Sequence, residues 1–172
     1  MDERDAGGYS VSYGREETAF PIYVVAVLAA GCLAAAWFTG LTIWLALGLA
    51  AAGYAYYNLP LLEKGRPVIG ANQYGIFIHA FGLIGWRAID KIDLIAIAER
   101  DTTIHELQIG LRVPLRSALV ADWRKQPFYR SLMRLPWTMT PANTVRVRLG
   151  VFTQQPEEIH RTMLRMRRYF RS

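Results

Sequence analysis

Residues 18–62, TAFPIYVVAVLAAGCLAAAWFTGLTIWLALGLAAAGYAYYNLPLL, contain no Asp, Glu, Lys, Arg or His. As one helix this 45-residue run would be roughly 67 Å long at 1.5 Å per residue, more than twice a hydrocarbon core of about 30 Å. It therefore reads as two spans. The natural break is Thr39-Gly40, because glycine tolerates the left-handed conformation that ends a helix. The expected spans are residues 19–38 and 41–58, with Pro60 just past the second. Small residues recur four apart (Ala26, Ala30 and Ala34 in the first span, Gly48 and Ala52 in the second) and would allow close approach of two helices.

Arg4 and Arg15 precede this run, Lys64 and Arg66 follow it, and the connection between the spans carries no charge. By the positive-inside rule both termini are expected on the cytoplasmic side. Aromatic residues cluster at the expected interfaces: Tyr13, Phe20 and Tyr23 on entry, Trp37, Phe38 and Trp44 at the turn, Tyr54, Tyr56 and Tyr57 on exit. A cleaved secretory signal ending near Ala34-Ala35-Ala36 is disfavoured by the acidic lead-in and by the second apolar span.

The whole chain of 172 residues is 52% hydrophobic and 20% charged, and segregation of the uncharged run explains how both figures coexist. Intrinsic disorder is incompatible with that apolar fraction. The single Cys32 excludes an internal disulfide framework and any cysteine metal cluster. The net charge of +6 is itself a sum, −3 over residues 1–17 and +9 over residues 63–172. The expected organisation is an acidic tail (1–18), a two-helix transmembrane hairpin (19–58) and a basic cytoplasmic domain (59–172).

Within that domain, short apolar runs punctuated by turns read as strands. Residues 67–72 and 75–81 flank Asn72-Gln73-Tyr74-Gly75, Gly82 and Gly85 bracket a further turn before residues 86–89, and residues 92–98 run up to a turn at Arg100-Asp101-Thr102. Residues 103–112 set Leu107, Ile109 and Leu111 against Glu106, Gln108 and Arg112, and residues 144–150 set Val145, Val147 and Leu149 against Arg146 and Arg148. Such two-residue alternation marks a half-buried antiparallel sheet. Pro156-Glu157-Glu158 suits the first turn of a helix, and Ile159, Met163, Met166 and Phe170 form its apolar stripe. Between these, 117–125 and 127–135 read as two short helices.

The two-span hairpin, the antiparallel strands and the final helix together resemble small bacterial membrane-anchored proteins with a pleckstrin-homology-like (PH-like) domain. The local motifs are similar too: Pro67-Val68-Ile69, Gly75-Ile76 and Trp86-Arg87-Ala88-Ile89 followed by Ile92 resemble that family's "P-x-I … G-I … W-x-x-I-x-x-I", and Gln154-Gln155-Pro156-Glu157-Glu158 resembles the opening of its last helix. The resemblance implies a membrane α-hairpin plus a mainly-β domain, an antiparallel, partly open barrel of about seven strands capped by a C-terminal α-helix, located in the bacterial inner membrane. It implies no catalytic residues.

The residues themselves point the same way. His79, His105 and His160 are far apart in sequence and no HExxH or CxxC spacing exists, so neither a metal centre nor a cofactor is expected. Asp90 and Asp93 flank Lys91 in the manner of a solvated salt bridge, and Ser117 and Ser131 lack a nucleophile motif. Basic residues beside a membrane follow from orientation alone, and no nucleic-acid reading helix is present, so nucleic acid is not expected as a partner. The candidate binding stretch is Arg112, Arg116, Trp123, Arg124, Lys125, Arg130, Arg134 and Trp137, with Asp122 its one acid. Basic residues near an anionic leaflet contribute about 1 kcal/mol each, with Trp and Tyr at headgroup depth. The expectation is a non-catalytic module for protein or anionic phospholipid. The alternative is an accessory or assembly subunit that binds a membrane protein, or a second copy of itself, through its hairpin.

Overall fold

In the computed structural model, residues 8–14, 16–62, 66–99, 102–124 and 127–171 are described. The chain divides into a mainly-β unit (residues 1–14, 65–126 and 135–172) and a helical unit (residues 15–64 and 127–134).

The β unit holds two antiparallel sheets. Strands β1 (Tyr9–Ser12), β2 (Pro67–Ala71), β3 (Gly75–Ile78), β4 (Gly82–Gly85) and β7 (Leu119–Asp122) form the first, in the order β1-β2-β3-β4-β7. The second runs β5-β6-β9-β8, from β5 (Ile89–Glu99), β6 (Thr102–Leu111), β9 (Thr144–Arg148) and β8 (Trp137–Thr140). Helix α5 (Pro156–Phe170) packs on β2, β5 and β6, touching strands of both sheets. Its stripe explains this: Ile159 and Met163 are fully buried, while Phe170 stacks on Trp86 at 6.4 Å. Alternation sends Ile69, Ile76, Ile78, Ile84, Leu107, Ile109, Val145 and Val147 into the core, all at 0% exposure. Asn72 shapes the β2–β3 turn, its Oδ1 accepting the N–H groups of Tyr74 (2.9 Å) and Gly75 (3.1 Å).

Among the described residues nine strands stand where about seven were expected. The 1–18 stretch is more than a tail, because β1 pairs with β2 from Tyr9↔Ala71 to Ser12↔Pro67 and Tyr13 stacks on Phe152. Residues 82–85 form a strand instead of a turn. Gly82 has φ 139°, and a Cβ there would lie 2.1 Å from Ala121 O, so glycine lets β4 approach β7. The helix expected over 117–125 is shortened to α3 (Leu115–Ala118) and gives way to β7, and β8 was not anticipated. Each of these additions is four residues long, too short for a periodicity to declare itself. The turn expected at Arg100-Asp101 lies outside the described residues.

In the helical unit, α1 (Glu16–Thr39) and α2 (Thr42–Tyr57) pack as a hairpin. Gly40 sits at φ 67° and donates to Ala36 O at 2.9 Å, and Thr39 Oγ1 donates to Ala35 O at 2.7 Å, which closes α1. Segment 19–39 of α1, with mean hydropathy 2.2, is long and apolar enough to cross a membrane. Helix α2, at 16 residues and roughly 24 Å, is shorter than the usual span. A short 3-10 turn (Leu59–Leu62) follows it, and the last element of the unit is α4 (Phe128–Ser131).

Candidate binding surface

The basic-aromatic stretch from Arg112 to Trp137 is divided between the two units. Arg112, Arg116, Trp123, Arg124 and Trp137 belong to the β unit, Arg130 and Arg134 to the helical unit, and Lys125 lies outside the described residues. In the β unit much of the positive charge is already paired. Arg124 clasps Asp122 through Nε (2.9 Å) and Nη2 (2.6 Å), and that bond holds its guanidinium above the ordinary arginine value. Arg112 Nη2 lies 3.3 Å from Asp90 Oδ1, with both side chains about half exposed, a geometry of small net energy. Arg116, in α3, is exposed and has no ion pair among the described residues. Trp123 is 41% exposed and its backbone N–H donates to Phe81 O, whereas Trp137 turns inward and meets Phe81 edge-on at 4.7 Å. Trp137 is thus a core residue at least as much as a surface one.

In the helical unit, Arg130 and Arg134 are carried on a segment fastened to the end of α2. Tyr56 Oη donates to Tyr129 O at 2.6 Å, Arg134 N–H to Tyr57 O at 2.8 Å, and Arg134 Nη1 to Asn58 Oδ1 at 3.5 Å. Both arginines therefore belong to a segment held at the end of α2, next to Tyr57 and Asn58. The signal for this docking was present as Tyr56-Tyr57-Asn58, though not its partner.

The helix-packing residues separate in the same way. Gly48 is buried, and a Cβ on it would lie 2.8 Å from Leu33, so it does set a close approach, with Ala52 half-buried beside it on the helix. Ala26, Ala30 and Ala34, expected to face α2, are exposed instead. The less accessible stripe of α1 is Ile22, Val25, Ala29, Cys32 and Ala36, rotated by one residue. Both stripes repeat at helical spacing, and only contact with α2 decides between them.

A second basic surface escaped the sequence reading. Leu164, Arg167, Arg168 and Arg171 line a cleft of about 450 Å³ on α5. Arg167 Nη2 donates to Ile89 O at 3.2 Å and to Asp90 O. Burial first, then the charges of Arg171 and Arg112, lower its pKa from the ordinary arginine value, against the opposing pull of Asp90. Arginine spacing of three and four on α5 was the available signal, and it also fits charge complementing the helix dipole. Near the same helix end, an apolar groove of about 500 Å³ is lined by Tyr74, Trp86, Val113, Ala118 and Phe170 among others. Arginines beside an apolar groove suit a ligand with an anionic head and an apolar body. Among the described residues no three metal-ligating side chains converge. Compared with protein-family models, with curated proteins and with solved structures, the chain has no match.

Proposed function

We propose that the chain is a membrane-tethered, non-catalytic binding module of the bacterial inner membrane. In this reading the α1–α2 hairpin crosses twice, and a basic PH-like β unit faces the cytoplasm to engage anionic lipid or an acidic protein surface. The observation that carries the reading is the pairing of β1 with β2 across the hairpin: Ser12 and Pro67, register partners, are separated in sequence by the whole apolar segment. The hairpin is thus an insertion in the turn of a β-hairpin. Its two ends return to one folded unit, which favours an even number of crossings. The outward apolar surface supports the same reading, with Trp37 86%, Phe38 85% and Val27 71% exposed; contiguous apolar exposure of this kind marks an interaction or membrane surface. For a short α2, local thinning of the bilayer and the flanking turn of residues 59–62 offset the length deficit. Arg4, Arg15 and Lys64, on which the orientation leans, lie outside the described residues.

Two measurements test this reading. The full chain should stay with membranes through an alkaline carbonate wash, and release into the soluble fraction would contradict the tether. Replacing residues 15–64 by a short glycine-containing turn keeps β1 joined to β2. That variant should float with anionic vesicles and not with neutral ones, while equal or absent binding would remove lipid as the ligand.

The alternative, an accessory subunit of a membrane complex, is favoured by one observation: Ala26, Ala30 and Ala34 face away from α2 and are open to another helix. Ala26→Leu with Ala30→Leu should then abolish complex formation while leaving the β unit folded.

A further inference from the structure

Strand β5 ends the four-stranded sheet, so among the described residues no strand lies along its outer edge. Its first part is covered by α5: Arg167 Nη2 donates to Ile89 O and Asp90 O, and His160 Nε2 lies 3.1 Å from Ile92 O. Ile92 is the last β5 residue whose carbonyl α5 reaches among the described residues, and at the start of the helix Glu157 lies 3.8 Å from His105, the register partner of Ala96. Strand β9 pairs with β6 only from Glu106↔Arg148 to Gly110↔Thr144, so the far end of β5 and its β6 partners form a two-stranded ribbon. The edge that runs into that ribbon reads Leu94-Ile95-Ala96-Ile97-Ala98, without a charge, with Ile95 and Ile97 each 38% exposed; Leu94 and Ile95 still pair with Leu107 and Glu106, which β9 backs on the other side. The direction of its polar groups can be fixed. Leu149 N–H donates to His105 O at 2.9 Å, so His105 turns towards β9, and Ala96, its register partner, turns its own N–H and C=O to the free edge. Ile92 O, reached by His160 from outside the ladder, fixes the same parity. Leu94, Ala96 and Ala98 therefore turn hydrogen-bonding groups outward, with no partner for them among the described residues, beside an apolar surface, the arrangement that recruits another strand.

We infer that this edge pairs antiparallel with the same edge of a second copy of the chain, about a two-fold axis at Ile95. A lipid surface would leave the edge N–H and C=O groups unsatisfied, whereas a strand satisfies them. Self-pairing is isologous, and charge selects its register. With Ile95 opposite its counterpart, Leu94 faces Ala96 of the second copy and Lys91 stands opposite the register position of Glu99. A register centred on Ala96 would instead set Asp93 against Glu99, like charges that repel. The contact goes beyond the proposed tether and does not depend on it. A contact confined to one strand from each copy is small against the roughly 1,000 Å² of a stable interface, so the dimer is expected to be weak and concentration-dependent.

Cysteine cross-linking of the full chain in the expressing cells tests this, in a Cys32→Ala background. Under mild oxidation Ile95→Cys should give a disulfide dimer at twice the 19.5 kDa of the chain, and Val120→Cys, 64% exposed on the edge strand of the other sheet, should not. Adding Ala96→Pro removes only an outward N–H from each copy, and should lower the Ile95→Cys yield roughly tenfold or more. Ile97→Glu, opposite Asp93 in this register, should lower the yield as well, and Ile97→Lys should preserve it. An Ile95→Cys product no more abundant than that of Val120→Cys, an adduct of any other mass, or equal yields from Ile97→Glu and Ile97→Lys would overturn the inference.

Discussion

The helical hairpin and the β unit draw on the same kinds of apolar residue and dispose them in opposite ways. In the β unit Phe81, Ile109, Val145 and Val147 are at 0% exposure, while on the hairpin Phe20, Ile43 and Leu49 stand at 59–70%. Water explains the first arrangement, since burial of apolar area drives the two sheets and α5 together. It does not explain the second. A two-helix hairpin with this outward surface suits apolar surroundings, and that is the contrast the proposed membrane tether accounts for.

Core truncation should break that contrast most visibly. Phe81→Ala removes the ring that meets Trp137 and should cost about 3–5 kcal/mol of β-unit stability by denaturant unfolding. Phe38→Ala, at a side chain 85% exposed, should leave it unchanged. Equal losses would mean that the hairpin surface is covered by protein.

Next in size is overpacking of the hairpin. Gly48→Leu meets Leu33 and should cost about 1–3 kcal/mol, read as a lower melting temperature in detergent, whereas Gly53→Leu, with nothing within 4 Å of its Cβ, should cost little. A large loss at Gly53 instead would show that another helix occupies that face. A smaller effect tests the β2–β3 turn. Asn72→Ala removes the acceptor for two N–H groups and should destabilise by about 1–2 kcal/mol, with melting temperature as readout.

The smallest expected effect is pH dependence through β1. Tyr9 donates to Gln154, and burial, with the charge of Glu158, raises its pKa above the ordinary 10.0. The folded state therefore favours the neutral phenol. Its contribution is complete below pH 10 and is lost as pH rises through the folded pKa, because the unfolded chain ionises first. Tyr9→Phe should flatten the alkaline limb of the stability profile above pH 10. An unchanged limb would detach β1 from the sheet.

The same contrast governs what the sequence made legible. Absence of charge over residues 18–62 and alternation in residues 103–112 and 144–150 are long-range patterns, and each marks an element that is present. What escaped was decided by contact. Tyr9, Val11 and Tyr13 alternate within an acidic stretch, yet only the edge of β2 makes them a strand. Ala26, Ala30 and Ala34 match helix-packing spacing as well as Val25, Ala29, Cys32 and Ala36, and the rotation of α1 on α2 selects the second set. The basic stretch 112–137 was visible as composition. Its division between the two units was not, because it depends on hydrogen bonds from residues 56–58 to residues 129–134. The Arg167 cluster escaped as well, because its approach to Ile89 and Asp90 is a tertiary contact.

The central claim is that the hairpin crosses a membrane twice and returns the chain to the side it left. Single cysteines at Ser10 in β1, Leu41 in the hairpin turn and Tyr74 in the β2–β3 turn, each in a Cys32→Ala background, can be labelled with a membrane-impermeant maleimide in intact cells. The account predicts labelling at Leu41→Cys alone, with Ser10→Cys and Tyr74→Cys reacting only after permeabilisation. Labelling of Ser10→Cys and Tyr74→Cys from opposite sides, or of Leu41→Cys and Tyr74→Cys from the same side, would contradict it.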